Sequence, residues 1–322
     1  MPLLDQLIVC ADRSSIEYFE HKAILDPELK NHLYNKLRNT IGRNETITFV
    51  AIENSRPVGF ISAAINDFDS RFFGFPCIHL TLNVFSASFE KVSEIIRRLF
   101  KETEQYCRKY DSRFYTFISI NNNTFNCQPI FNSLTGEGFY FISTLLTYSV
   151  PEKTEQPVNN TEQGFNIREA VMGDINAVAS LAEKSFHYSR FHMDPFLDNR
   201  KADLLLKKSA ENSITDNFVD IMFVAEFKNK IVGYYSAKKK YIEELNKTFG
   251  ISVISAVDPE FQGMGIFKQL DNHILYWYVN NCDISEVGSY LGNLPVHRTW
   301  AQKKLKLLRG TYQLSRMYNF KG

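Results

Sequence analysis

The sequence predicts two α/β units in tandem, each a mixed central sheet flanked by helices. Three observations carry this expectation. The stretch Val150–Gly164, VPEKTEQPVNNTEQG, contains two prolines, several Glu, Asn and Gln, and almost nothing apolar, so it reads as a linker. It divides the 322 residues into parts of ordinary domain size, 1–150 and 165–322, around a linker at 151–164. Both parts then run through the same order of hairpin, β-branched strand, long helix and further strands.

In the first half, Thr48–Glu53 and Pro57–Ala64 predict a hairpin and Cys77–Val84 a strand. Ser88–Tyr110 predicts a helix whose apolar stripe is Phe89, Val92, Ile95, Ile96 and Leu99, with Ser86 or Ser88 suited as its N-cap. Arg113–Ile120 and Gly138–Val150 supply two more strands, while Asp69–Phe75 (DSRFFGF) reads as an aromatic loop.

In the second half, Phe165–Arg168 is a short strand and Asp174–Phe186 an amphipathic helix with Ile175, Val178, Leu181 and Ala182 on one face. Asp220–Phe227 and Ile231–Ala237 form a hairpin around Lys228-Asn229-Lys230. Gly250–Val257 is a β-branched strand and Ile266–Val279 a long helix. A strand near Ser285–Ser289, a helix from Leu294 and a last strand near Gly310–Tyr318 complete the order.

Composition narrows the function classes. With 44% hydrophobic and 23% charged residues the chain has a globular profile. Lys and Arg total 37 against 36 acidic residues, so a net charge of +1 gives no basis for a nucleic-acid partner. Cys10, Cys77, Cys107, Cys127 and Cys282 are scattered and lack C-x-x-C spacing; they read as buried thiols of a reducing compartment. His187 and His192 lack the spacing of a helical metal pair, so no metal site is expected. Met1–Cys10 has no basic start followed by an apolar core, and no apolar run reaches the ~20 residues of a membrane span. A cytoplasmic protein follows, with Asn44-Glu45-Thr46 and Asn246-Lys247-Thr248 as chance glycosylation sequons.

The segment that carries chemistry is Val253–Leu270, VISAVDPEFQGMGIFKQL. A β-branched strand runs through Asp258-Pro259 into Gln262-Gly263-Met264-Gly265 and then a helix beginning at Ile266 and Phe267. A glycine turn at a helix N-terminus presents unpaired backbone N–H groups, which suit a pyrophosphate. Glycine lets that backbone come close and adopt positive φ. The absence of G-x-G-x-x-G, and the late position after a hairpin, argue against a dinucleotide fold. On spacing alone, a plain strand-to-helix turn remains the alternative.

This segment resembles the GNAT (GCN5-related N-acetyltransferase) family, whose signature is [QR]-x-x-G-x-[GA]. Gln262 and Gly265 match it, and Phe267 stands where the final small residue would be. Phe165–Phe186 is similar to the family's first strand and helix, and Gly292-Asn293 to its second coenzyme-contacting segment. Within the family the chain most resembles the dTDP-fucosamine N-acetyltransferases, through Ser189-Arg190-Phe191, Glu211-Asn212 and Asp69-Ser70-Arg71-Phe72-Phe73-Gly74. The resemblance implies tandem GNAT-like domains: a degenerate one at 1–150, whose Phe85-Ser86-Ala87-Ser88 connection has no glycine, and an acetyl-CoA-binding one at 165–322.

It further implies direct attack of a neutral amine on the thioester, with backbone N–H groups of the strand bearing Ala256 and Val257 near the developing oxyanion. Coenzyme contacts then fall on Ala256, Val257, Gln262, Gly263, Met264, Gly265, Ile266, Phe267 and Asn293. The family's acid is a tyrosine seven residues after that asparagine; here the position is Trp300, whose indole N–H is no acid at neutral pH. His297, one turn away, and Tyr290 are the substitutes, or the domain binds coenzyme without fast turnover. Arg190, Phe191 and His192 are candidates for the acceptor, a small-molecule amine such as a nucleotide sugar, with a solvated loop as the alternative. Lys238–Lys240 and Lys303, Lys304, Lys306 and Arg309 read as solvated faces, and Trp277 and Tyr278 as core. A homodimer stays open.

Overall fold

The computed structural model describes residues 46–320 except 86–87, 123, 125, 158–163 and 217, together with 28, 31–32, 35–36 and 38–39. Cys10, Asn44, Glu45, Ser86 and the middle of the linker lie outside the described residues. In chain order the first elements are β1 (Thr46–Glu53), β2 (Arg56–Ile65), α1 (Asp67–Phe73), β3 (Cys77–Val84), α2 (Phe89–Cys107), β4 (Arg113–Asn121), α3 (Cys127–Gly136) and β5 (Tyr140–Ser149). Then come β6 (Phe165–Glu169), α4 (Ile175–Ser185), α5 (Asn199–Thr215), β7 (Ile221–Phe227), β8 (Lys230–Ile242), β9 (Lys247–Val257), α6 (Ile266–Asn281), β10 (Ile284–Tyr290), α7 (Leu294–Gln302) and β11 (Lys306–Asn319).

Contacts divide the chain into two units, Met1–Leu145 with Arg309–Gly322, and Leu146–Leu308. In the first, the strands lie in the order β1-β2-β3-β4-β11, with the start of β5 beyond β11. β3 and β4 are parallel from Cys77↔Tyr115 to Leu80↔Ile118, and β11 runs antiparallel to β4 from Thr311↔Asn121 to Asn319↔Arg113. The core packs Val92, Ile95, Ile96, Leu99 and Phe100 of α2 against Ile61, Ile78, Phe114, Ile118 and Leu314. Phe89, expected in that stripe, is 51% exposed: it opens the helix, where the chain has not yet settled onto the sheet.

The last strand corrects the sequence reading. Arg309 onward was expected with the second domain, yet it completes the first unit, where Tyr318 stacks on Phe114 at 4.5 Å. DSRFFGF is likewise not a loop: Asp67–Phe73 is helical, with the Asn66 side chain accepting the Asp69 N–H and Gly74 ending the helix at φ 80°. Ser70 Oγ donates to the Asn66 carbonyl and accepts the Cys77 N–H, so this motif holds a corner of the fold. The helices α3 and α5 had no counterpart in the sequence reading.

In the second unit the order is the end of β5, then β10-β9-β8-β7-β6. Its core residues include Ile266, Leu270, Ile274, Leu275 and Tyr278 of α6, and Val178, Leu181 and Ala182 of α4 with Ala210 of α5. β8 runs to Ile242, so the Lys238–Lys240 run is strand paired with β9. Cys77, Cys107 and Cys127 are buried free thiols and Cys282 is half-buried. No helix among the described residues is long and apolar enough to cross a membrane.

Candidate functional site

The site begins where two parallel strands part. β9 and β10 pair only over Ile284↔Phe249, Ser285↔Gly250 and Glu286↔Ile251. Beyond Ile251, β9 continues to Val257 with its strand pairing on the β8 side alone. Ser252 Oγ accepts the Gly288 N–H at 3.4 Å at the point of divergence. The edge of β9 that carries Ala256 and Val257 thus faces the gap with backbone groups outside the ladder.

The turn that follows is built on a buried carboxylate. Asp258 takes Lys184 Nζ at 2.8 Å and Lys230 Nζ at 3.3 Å, and its Oδ1 accepts the Glu260 N–H at 3.2 Å. Burial pushes this carboxyl up, but the two lysines and the Glu260 N–H together hold it below the usual carboxylate range. After the short 3-10 turn Pro259–Phe261, Gly263 and Gly265 take φ of 82° and 79°, and α6 starts without a side-chain cap or an acidic residue in its first turn. A Cβ at Gly263 would meet nothing within 4 Å, so only the backbone conformation requires glycine there. Gln262 Nε2 reaches back to the Val257 carbonyl at 3.5 Å, and Met264 is exposed.

Two more glycines seat α6 on the sheet. A Cβ at Gly250 would lie 2.4 Å from Tyr278 Cδ1, and one at Gly233 would lie 2.9 Å from Ile266 Cγ2. Phe267 stacks on Tyr235 at 5.8 Å, which accounts for a large residue in the signature's last position. The corresponding helix of the first unit differs at each point. In α2 the Ser88 side chain accepts the Lys91 N–H and Glu90 sits in the first turn. Asn126 Nδ2, buried, donates to the Val84 carbonyl at the end of β3. A capped helix start with an adjacent carboxylate disfavours an anion.

At the far end of β10, His297 is held on both nitrogens. Nε2 lies 2.9 Å from the Tyr290 carbonyl and Nδ1 3.2 Å from Tyr148 Oη. A carbonyl only accepts, so Nε2 carries a proton, and in the neutral ring Nδ1 accepts from the Tyr148 hydroxyl. Asn293 Nδ2 donates to Ser289 Oγ at 3.0 Å. Trp300 is 1% exposed, and its Nε1 donates to Asp271 Oδ1 at 3.1 Å. Lys303 pairs with the other oxygen of Asp271, so this lysine is no solvated residue. Burial pushes the Asp271 carboxyl up and the Lys303 ammonium down, each against the pull of its partner.

The acceptor candidates sit in the loop between α4 and α5. His192 Nδ1 lies 2.6 Å from Ser189 Oγ and its Nε2 2.9 Å from Asp203, so the ring ties the loop to α5. Phe191 is buried, and the Arg190 guanidinium lies over its ring at 4.0 Å. Sequence reasoning passed over Tyr188, whose ring lies 3.2 Å from a Cβ built on Gly292 and brings this loop to the start of α7. It passed over Tyr148 and Asp271 too, and over the lysine partners of Asp258, because each acts through a partner distant in sequence.

No family model matches the chain. It is 23% identical over 180 residues to the spore coat polysaccharide biosynthesis protein SpsD of Bacillus subtilis (strain 168), an alignment spanning 56% of either protein. So the chain covers little more than half of that relative's length. Among solved structures, a tandem GNAT protein from the clavulanic acid biosynthesis pathway superposes with a TM-score of 0.57 at 12% identity, over 99% of this chain and 96% of that one. A GCN5-related N-acetyltransferase from Sphaerobacter thermophilus gives 0.58 at 11% identity, over 89% and 86%. The GCN5-related glucosamine N-acetyltransferase region of a fungal multi-domain GH3 β-N-acetylglucosaminidase gives 0.62 at 12% identity, over 98% of this chain and 37% of that one. At these identities the likeness establishes the fold: the chain has the tandem α/β architecture of GNAT proteins, as the sequence predicted.

Proposed function

We propose that the second unit binds acetyl-CoA and transfers its acetyl group to the amine of a nucleotide-linked deoxyamino sugar destined for a surface polysaccharide. The observation that carries the coenzyme reading is the uncapped start of α6 behind Gly263 and Gly265, beside strands that part after Glu286↔Ile251. Backbone N–H groups from Gly263 to Phe267 suit the pyrophosphate, and the opening between β9 and β10 suits the pantetheine arm. Since the Asp258 N–H is spent on the Val232 carbonyl, alternation turns the Val257 N–H to the gap, where it would face the thioester oxygen as charge develops during amine attack, with Ala256 lining the same edge. Asn293 would contact the coenzyme from the other strand, and Arg190 the acceptor's phosphates. The acceptor class draws support from the polysaccharide-related SpsD and from the motifs shared with dTDP-fucosamine N-acetyltransferases. The reaction, as read, belongs to the cytoplasm, where nucleotide sugars and acetyl-CoA are both at hand.

Trp300 favours a second reading. Its only polar atom is committed to Asp271, so a domain that binds the coenzyme without turnover is consistent with that position. Thiol release from acetyl-CoA, measured across TDP- and UDP-linked amino sugars, separates the two. Turnover with a 4-amino sugar nucleotide is expected. Tight acetyl-CoA binding with no turnover on any amine would establish the second reading instead.

A further inference from the structure

The first unit has a fork of its own. β3 and β4 pair from Cys77↔Tyr115 to Leu80↔Ile118, after which β3 runs on to Val84 beside β2, and β4 to Asn121 beside β11. Asn126 Nδ2 bonds the Val84 carbonyl, so the far end of this fork is bridged, and what it offers a ligand is its face. Leu80, Ile118 and Leu314 point into the core under α2. Alternation turns their neighbours the other way, where the register lines up Thr48, Ser62, Thr81, Ser119 and Gln313 in one row. Thr81 lies one step past Leu80↔Ile118, which sets it opposite Ser119 over the fork. The row consists of hydroxyl and amide side chains, none charged, and neighbouring strands space them by about 4.8 Å. His79, in the next row, is paired with Asp69 at 3.4 Å.

This row is open at Thr81 and Ser119, which are exposed, and sealed at β11, where Gln313 is 6% exposed and Ser315, on the same face, not at all. Gln313 Oε1 and Ser315 Oγ have no hydrogen-bond partner among the described residues, whereas Thr48 and Ser62 satisfy each other at 2.7 Å. A polar atom sealed away unpaired weakens a fold, and an apolar side chain would spare it. Two such atoms beside exposed hydroxyls suit a ligand that brings its own donors and acceptors. We propose that this face of the first unit binds an uncharged pyranose sugar, whose hydroxyls bond Gln313, Ser315, Ser119 and Thr81. Each sugar hydroxyl both donates and accepts, and alternate equatorial hydroxyls on the ring are spaced much as neighbouring strands are. Phe117, the register partner of Ser315, adds ring surface beside the row, with the His79 ring at 5.3 Å from it. The lack of charge in the row disfavours a phosphate, carboxylate or ammonium group, so this ligand differs in class from the acceptor proposed for the second unit. The site lies wholly in the first unit and does not depend on the acetyl-CoA reading.

The test uses the full chain and saturation-transfer NMR, with methyl β-glucoside, methyl β-galactoside and N-acetylglucosamine as probes. At least one is expected to bind with a Kd of about 1 mM or below. Gln313→Met, which keeps an unbranched side chain and removes the acceptor, is expected to weaken that sugar about tenfold, and Ser315→Ala to do the same. Both variants are expected to melt at or above the wild-type Tm, because each removes a buried atom that the free protein leaves unpaired. No signal from any probe overturns the proposal, and does so alone where acetyl-CoA still binds. Sugar binding undiminished in both variants overturns it too, and a lowered Tm would then assign the two atoms to an internal water.

Discussion

Asp271 has no solvent exposure and divides its two oxygens between Trp300 Nε1 and Lys303 Nζ. Taking Lys303 away does not return the carboxylate to water; it leaves a charge in the core with one hydrogen bond and without its ion-pair partner. Lys303→Met is therefore expected to destabilise the second unit by about 3–5 kcal/mol, read from urea unfolding. Trp300→Phe removes a hydrogen bond but no charge, and about 1–3 kcal/mol is expected. A loss below 1 kcal/mol in Lys303→Met would mean that Asp271 stays protonated, the direction in which burial pushes it. At this scale the indole at position 300 works as a clasp between α6 and α7.

Among elements, α6 bears most on the site because its N-terminus meets the turn and its body sets the turn's height above the sheet. That height depends on Gly233 and Gly250, which let the helix approach β8 and β9 without a Cβ between. At Gly250 the added carbon would lie 2.4 Å from Tyr278 and 2.6 Å from Ser285 Oγ. Tyr278 is wholly buried and has no room to retreat. Gly250→Ala is expected to cost about 1–3 kcal/mol by overpacking and to weaken acetyl-CoA binding by lifting α6 from the strand. Calorimetry of unfolding and of coenzyme titration would measure both effects. Unchanged stability would show that the helix shifts freely on the sheet.

For the whole molecule, the consequential feature is which segments each unit owns. The first takes Arg309–Gly322 and the second begins at Leu146, inside β5. A cut at the polar linker follows composition, not packing. Residues 165–322 expressed alone would carry β11 without β4 and β10 without Leu146–Ser149, leaving long strands with unpaired edges. We expect that fragment to be insoluble or to melt without cooperativity, and residues 146–308 to behave better. Circular dichroism melts of the two fragments decide it, since a sharp transition from 165–322 alone would show that the second unit tolerates an unpaired β11 and the loss of Leu146–Ser149.

Local signals were enough for much of this protein. Alternation located β1–β4 and β7–β10, and a 3.6-residue period located α2, α4 and α6, because a strand or helix must show its buried face in its own residues. The Gln262–Gly265 turn was legible for the same reason, since positive φ and an uncapped helix start leave a mark in the residues concerned. The helices α3 and α5 lack so plain a stripe, and α1 passed for a loop because seven residues hardly show a period. What only the tertiary structure decided is who meets whom across the chain. Tyr148 on His297, Lys303 and Trp300 on Asp271, two lysines on Asp258, and β11 on β4 join residues 28 to 206 positions apart. Such pairings follow from packing and charge neutralisation in three dimensions, and neither has a period along the sequence.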